Sequence, residues 1–195
     1  MNRRRYLAAV STVGVAASAG CSAVSGTQVL SDPTVLEDAP GRKTILFSAD
    51  GGEVGHLGVD GRVDSGRIGL STEIWHQDST RVESIKLRLW MPESAMASPA
   101  EVAVVSPVEG DSSPPPSISL YTPDRDRGTA VEITDLDDLA DETISTLELI
   151  VIPGAETATR LTIDATIELS SGGVLSSDYT LDGTLQLSYP ELTAE

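Results

Sequence analysis

Apolar and polar residues alternate along most of the chain after residue 43. The clearest runs are Ile68–Trp75, Ser84–Met91, Leu161–Leu169 and Asp178–Tyr189, in which most apolar side chains share one parity. A period of two places apolar side chains on one face of a strand and polar side chains on the other. The pattern therefore predicts antiparallel sheets, each with one buried face and one solvated face.

Turn signals at short intervals separate these runs, among them Asp50–Gly51, Asp60–Gly61 and Ser170–Gly173. They predict about eight or nine strands, and Asp135–Glu142 is the one predicted helical turn. Two sheets packed face to face would bury both apolar faces. The order of elements resembles an immunoglobulin-like or fibronectin-like sandwich, although the Cys–Trp–Cys pattern of true immunoglobulin domains is absent. We therefore expect an all-β antiparallel sandwich, with a jelly roll or a small barrel as the alternative.

The first 21 residues have the pattern of an export signal. Basic residues precede fourteen uncharged residues, Tyr6–Ala19, and this stretch is too short to span a membrane. The residues Arg3, Arg4, Tyr6 and Leu7 resemble a twin-arginine export motif, which a receptor reads. Cys21 follows small residues and resembles the lipidated cysteine of a lipobox, where Ser18 replaces the usual aliphatic residue. A free or buried cysteine beside a simple cleavage site is the alternative.

These features divide the chain into four parts. We predict a signal peptide over residues 1–21, a flexible polar tether over 22–42, a sandwich domain over 43–190 and a C-terminal tail over 191–195. Val35 and Leu36 would form a first edge strand if the tether docked onto the domain. A lipid on Cys21 would hold the domain at the extracytoplasmic face of a membrane. Without that lipid, we expect the protein to be secreted.

The composition is strongly acidic. The chain has 30 Asp and Glu residues against 13 Lys and Arg, a net charge of −17, and only Lys43 and Lys86 are lysines. An acidic excess of this kind keeps proteins soluble and is exploited by halophiles. Together with the N-terminal motifs, it resembles a haloarchaeal exported lipoprotein. The chain has no cluster of basic residues after the signal, so we expect no binding to nucleic acid.

Candidate chemistry is weak in this sequence. The acidic group Asp135, Asp137, Asp138, Asp141 and Glu142 has Ala140 where a calcium-binding loop requires glycine. The two histidines, His56 and His76, lack metal-ligand spacing, and the Gly55, Gly58 and Gly61 series is followed by a strand instead of a phosphate-binding helix. We interpret the alternating Asp124, Arg125, Asp126 and Arg127 as surface ion pairs. We therefore predict no catalytic residues, no metal and no cofactor.

The few aromatic residues have two possible uses. Trp75, Trp90 and Tyr121 could form a binding patch, but we expect buried packing, with a bulge turning one tryptophan into the core. Gly183 lies on the apolar face and is expected to mark a bulge or bend. The favoured function is a non-enzymatic binding or interaction module that contacts another envelope protein. The alternatives are a lipoprotein that binds a solute or divalent cation and, third, a small extracellular hydrolase.

Overall fold

The structure, a computed structural model, describes residues 26–91, 99–106, 117–123, 127–136, 144–155, 158–172 and 177–193. Within these ranges the chain forms twelve strands and one 3-10 turn. The strands are β1 Gln28–Leu30, β2 Thr34–Ala39, β3 Arg42–Ala49, β4 Gly52–Asp64, β5 Arg67–His76, β6 Thr80–Trp90, β7 Glu101–Ser106, β8 Ser117–Tyr121, β9 Thr129–Thr134, β10 Ile144–Ile152, β11 Arg160–Ser171 and β12 Tyr179–Ser188; the 3-10 turn is Pro190–Thr193.

The strands form two six-stranded sheets with a shared core. Sheet A has the order β1-β12-β11-β6-β9-β8, and sheet B has the order β2-β3-β4-β5-β10-β7. Every neighbouring pair is antiparallel except β1 and β12, which are parallel. The predicted all-β, immunoglobulin-like sandwich is confirmed at the level of two packed sheets. The structure contains more strands than the eight or nine predicted.

The core consists of the apolar residues that occupy every second position of the strands, as the sequence pattern predicts. On β11 the buried apolar set is Leu161, Ile163, Ala165, Ile167 and Leu169, and sheet B contributes residues such as Ile45, Leu57 and Leu149. Burying one Leu or Ile side chain contributes about 1.5–3 kcal/mol. This repeated gain holds the two sheets together, because a one-residue slip of any central strand would turn its apolar set toward water.

The domain begins earlier than predicted. Strands β1 and β2 lie within residues 22–42, which were predicted to be a flexible tether. The backbone N–H of Gln28 donates to the carbonyl of Asp178 at 2.8 Å, and β2 pairs with β3 along its length. Every residue of β2 is exposed, so this edge strand has no buried parity that would distinguish it from a loop. Docking of Val35 and Leu36 as an edge strand was the alternative left open.

Two predicted turns have different outcomes. Asp50 and Gly51 connect β3 to β4 with positive φ values of 52° and 80°, which confirms the first turn. The predicted turn at Asp60–Gly61 is wrong, because β4 continues through both residues to Asp64. A Cβ atom at residue 61 would lie 2.8 Å from Cζ of the buried Tyr189. Close packing, and not a turn, therefore explains this glycine.

Gly183 also marks close packing instead of a bulge. The β11–β12 register runs past this residue without a shift. A Cβ atom there would lie 2.9 Å from Cδ1 of Ile45 and 3.0 Å from Cζ of Phe47 in the opposite sheet. The predicted helical turn lies mostly outside the described residues, and its first two residues, Asp135 and Leu136, are not helical. In the part of the chain that the structure describes, the 3-10 turn is the one helical element, and no helix suited to crossing a membrane occurs.

Candidate functional site

The outer face of sheet B carries the candidate site. Strands β4 and β5 pair so that Gly58 lies opposite Glu73, Asp60 opposite Ser71, and Arg62 opposite Gly69. These residues alternate with buried residues such as Leu57, Val59, Leu70 and Ile74, and they therefore point away from the core. The alternation that fills the core thus also determines which side chains line this face.

Two hollows lie on this face. The larger hollow, of about 590 Å³, is floored by Gly69 and bordered by residues of β4, β5, β7 and β10. The smaller hollow, of about 240 Å³, is floored by Gly58. Both hollows are lined in part by Asp60 and Ser71, so they adjoin along β4 and β5, and we call the two hollows together the furrow. Its other side chains are those of Arg42, Thr44, His56, Arg62, Asp64, Glu73, Val105, Glu148 and Ile150.

Packing does not require glycine at either floor position. A Cβ atom at residue 69 would meet only the Arg62 carbonyl oxygen, at 3.9 Å, and one at residue 58 would approach Thr44 Oγ1 no closer than 3.6 Å. Both separations are ordinary van der Waals contacts, and neither glycine has a positive φ. Glycine within a strand costs roughly 0.5–1 kcal/mol relative to alanine. These two glycines lower strand stability and keep the furrow open.

Carboxylates line the larger hollow. Asp60 has Arg62 as its ion-pair partner, with Oδ2 and Nη2 3.6 Å apart, and the Arg62 side chain is 86% exposed. Asp64 accepts a hydrogen bond of 3.3 Å from the neighbouring Ser65. The Glu148 carboxylate makes no hydrogen bond or ion pair with any residue in the described ranges. The hollow therefore has more negative charge than its own arginine can neutralise.

The outer face of sheet A is different, because its charged groups bind one another. Asp164 accepts hydrogen bonds from Arg88 Nε at 3.0 Å and from the Thr184 hydroxyl at 2.7 Å. The Tyr121 hydroxyl donates to Glu132 at 3.0 Å, and Lys86 lies 5.6 Å from the centroid of the Tyr121 ring. A side-chain hydrogen bond with Tyr121 raises the pKa of Lys86 above its ordinary value. The polar side chains of this face are thus largely satisfied within the domain.

The two histidines point to opposite faces of sheet B. His56 stacks on Trp75 with ring centroids 5.4 Å apart, and its Nδ1 lies 2.5 Å from Glu53 Oε1. His76 is buried, and its Nδ1 lies 3.0 Å from the hydroxyl of Thr80 at the β5–β6 turn. They cannot share a metal ion. Nowhere in the described ranges do three or more His, Cys, Asp or Glu side chains form a group suited to a metal.

Trp75, Trp90 and Tyr121, the three residues considered as a binding patch, form neither one patch nor part of the core. Trp75 lies on the outer face of sheet B, whereas Trp90 and Tyr121 lie on the outer face of sheet A. Both tryptophans are half-buried, so the prediction that a bulge would turn one of them into the core is wrong. Each keeps the parity of its strand because no register shift occurs next to it.

The structure describes only some of the other residues that the sequence analysis singled out. Gly55, Gly58 and Gly61 lie inside β4 and form no phosphate-binding loop. Asp135 is exposed, but the rest of the acidic group falls outside the described residues, as do residues 124–126 of the predicted ion-pair loop. Lipidation of Cys21 and the export motif of Arg3, Arg4, Tyr6 and Leu7 also lie outside them and stay predictions.

A family model matches residues 27–191, from the start of β1 to the 3-10 turn. This chain belongs to the DUF8121 family. The family is described as a domain of unknown function. Membership therefore defines the bounds of the domain in the DUF8121 chain, but it does not assign an activity. A comparison with functionally described proteins found no match to the sequence.

Solved structures similar to the DUF8121 chain have low sequence identity to it. The collagen-binding domain from a Staphylococcus aureus adhesin has 7% identity and a TM-score of 0.38, over 67% of this chain and 95% of that chain. The GAE domain of GGA2p from Saccharomyces cerevisiae has 12% identity and a TM-score of 0.32, over 82% and 97%. The collagen binding domain of Erysipelothrix rhusiopathiae surface protein RspB has 11% identity and a TM-score of 0.34, over 82% and 60%. Similarities of this size concern the fold alone.

Proposed function

We propose that this DUF8121 chain is a non-enzymatic binding domain, held by a lipid at the extracytoplasmic face of a membrane, that binds another envelope protein through the furrow. The observation that carries the proposal is the pair of glycines, Gly58 and Gly69, which packing does not require. A strand position that accepts glycine at a cost in stability, without a backbone reason, often marks the approach of a ligand or another chain.

The histidine environments support a binding role over a catalytic one. His76 and Thr80 are both buried, and the Thr80 hydroxyl donates to the Gln77 carbonyl at 2.9 Å. This group therefore stabilises a turn and does not present a nucleophile to substrate. His56 interacts with Glu53 and stacks on Trp75 at the outer face of sheet B. These contacts are with a carboxylate and an indole ring, neither of which is a hydroxyl or thiol that a histidine could activate.

The N-terminal motifs support the anchored location. Arg3, Arg4, Tyr6 and Leu7 resemble a twin-arginine export motif, and Cys21 resembles a lipobox cysteine of haloarchaeal exported lipoproteins. The test is fractionation of cells that express the wild-type chain or Cys21→Ser, with Ser22→Ala as the matched control. We expect the wild type and Ser22→Ala in the membrane fraction and Cys21→Ser in the soluble or secreted fraction. Equal membrane partitioning of all three chains would contradict anchoring through Cys21.

The binding role has its own test. The wild-type chain, Gly69→Val and Gly52→Val are cross-linked in their native membranes, and the captured proteins are identified by mass spectrometry. Gly52 is an exposed glycine at the start of β4, away from the furrow, and a Cβ atom there meets nothing closer than 3.8 Å. We expect one partner with the wild type and Gly52→Val and its loss with Gly69→Val. A partner set identical for all three chains would contradict binding through the furrow.

A further inference from the structure

We propose that the furrow binds an extended basic segment of a partner protein, with a cationic side chain seated over Gly69 between Asp60, Asp64 and Glu148. This inference rests on the proposed binding function and adds the chemistry of the ligand. The partner segment is identified by three properties of the furrow: its length and direction, its unneutralised charge, and the apolar surface beside that charge.

The first property is shape. The outward side chains of β4 that line the furrow are Gly58, Asp60, Arg62 and Asp64, at every second position along the strand. Alternate residues of a strand lie roughly 6.6 Å apart, so the furrow runs along the strands for about 20 Å. An extended peptide has the same repeat. Every second side chain of the peptide would therefore point into the furrow, with the same spacing as the β4 residues that line it.

The second property is charge. Three carboxylates border the larger hollow, and Arg62, the basic side chain on its border, is 86% exposed and directed toward Asp60. Because Glu148 has no partner in the described ranges, a cation seated over Gly69 gains a charge-assisted contact without breaking an existing one. The same charge repels anionic ligands, including nucleic acid and phosphate groups. The complementary ligand is a Lys or Arg side chain.

The third property is an apolar border on the side of β7 and β10. Val105 is 55% exposed on the edge strand β7, and Ile150 lies beside Gly69 on β10. An apolar residue next to the basic one in the partner segment would cover these side chains. A metal ion or a small anion would leave this apolar surface exposed. The furrow therefore fits a peptide that combines basic and apolar residues.

The test measures binding of fluorescent decapeptides by anisotropy, at a salt concentration where circular dichroism shows every variant folded. The probe alternates Arg and Val, and the comparison peptide has Glu in place of Arg. The proteins are the wild type, Gly69→Val and the control Gly52→Val. We expect the basic peptide to bind the wild type and Gly52→Val equally and Gly69→Val at least tenfold more weakly, and we expect no binding of the acidic peptide.

A second pair of variants separates the furrow from the overall acidity of the chain. Asp64→Asn with Glu148→Gln removes two charges from the furrow, and Glu168→Gln with Asp182→Asn removes two from the outer face of sheet A. We expect at least tenfold weaker peptide binding for the first pair and less than a twofold change for the second.

Three results would overturn the inference. Equal weakening by both charge pairs, or full binding by Gly69→Val, would show that the peptide is attracted to the whole acidic surface. Absence of peptide binding to the wild type would overturn the basic-ligand inference alone, because the proposed function is tested separately by the loss of the cross-linked partner in Gly69→Val.

Discussion

Replacing Tyr189 with phenylalanine should stabilise the domain. The side chain is fully buried, and its hydroxyl has no hydrogen-bond partner in the described ranges. A buried hydroxyl without a partner costs about 1–3 kcal/mol. Removing one oxygen also loses its packing against Gly61, which is worth less than about 1 kcal/mol. We therefore expect Tyr189→Phe to raise the free energy of unfolding by about 1 kcal/mol at neutral pH.

The effect of Tyr189 should increase at alkaline pH. Burial, followed by the negative charges of Asp60 and Glu191, raises the pKa of Tyr189 above its ordinary value of 10.0. The folded state therefore favours the protonated hydroxyl, and the associated stability is intact below about pH 10 and is lost as the pH rises toward the folded-state pKa. One proton corresponds to about 1.4 kcal/mol per pH unit. By pH 11, Tyr189→Phe should gain roughly a further 1 kcal/mol over the wild type.

Urea denaturation at pH 8 and pH 11 measures both effects. The matched control is Tyr179→Phe, which removes a hydroxyl from a half-buried tyrosine at the start of β12, the strand that Tyr189 directly follows. We expect Tyr179→Phe to follow the wild type between the two pH values, whereas Tyr189→Phe loses less stability. A loss of 1 kcal/mol or more on Tyr189→Phe at pH 8 would show that the hydroxyl has a partner, and the argument would fail.

Two further substitutions examine the packing of the sheets. Gly183→Ala places a methyl group against Ile45 and Phe47 of the opposite sheet and should lower the free energy of unfolding by about 1–3 kcal/mol. An unchanged melting temperature would contradict this, because it would mean that the two sheets separate enough to accept the methyl group without cost. The buried Thr72 hydroxyl donates to the Leu147 carbonyl at 3.1 Å, so Thr72→Val should cost about 1 kcal/mol in urea denaturation and Thr72→Ser should cost less. Equal costs for Thr72→Val and Thr72→Ser would instead assign the effect to packing.

Central strands were predictable from the sequence because burial on one face imposes a strict alternation. Strand β11 shows this from Leu161 to Leu169, where every second residue is apolar and buried, although Thr162 is buried as well. Strand β2 could not be predicted in this way, since all its residues are exposed and its formation depends on hydrogen bonds to β3. The Asp60–Gly61 pair has the composition of a turn, but both residues pair with β5, and Gly61 also packs against distant Tyr189.

The furrow was missed for a related reason. Its floor glycines, Gly58 and Gly69, fall on the polar parity of their strands, which was the available signal in the sequence. The third strand of the site, β10, supplies Glu148 and Ile150 from a distant part of the chain. The strand order of sheet B brings these residues together, and periodicity alone does not determine strand order.

Because the first strand begins early in the chain, the domain can lie only a short distance from Cys21. Only six residues, 22–27, separate Cys21 from Gln28, where β1 begins. Fully extended, this connection spans at most about 25 Å. If Cys21 carries a lipid, the domain is held close to the bilayer with the His76–Thr80 turn on the membrane side, because β1 begins beside the strand ends that meet this turn. Asp64 and Gly69 lie toward the opposite end of β4 and β5. The larger hollow would then lie near the end of the domain that is farther from the membrane, within reach of a partner arriving from outside.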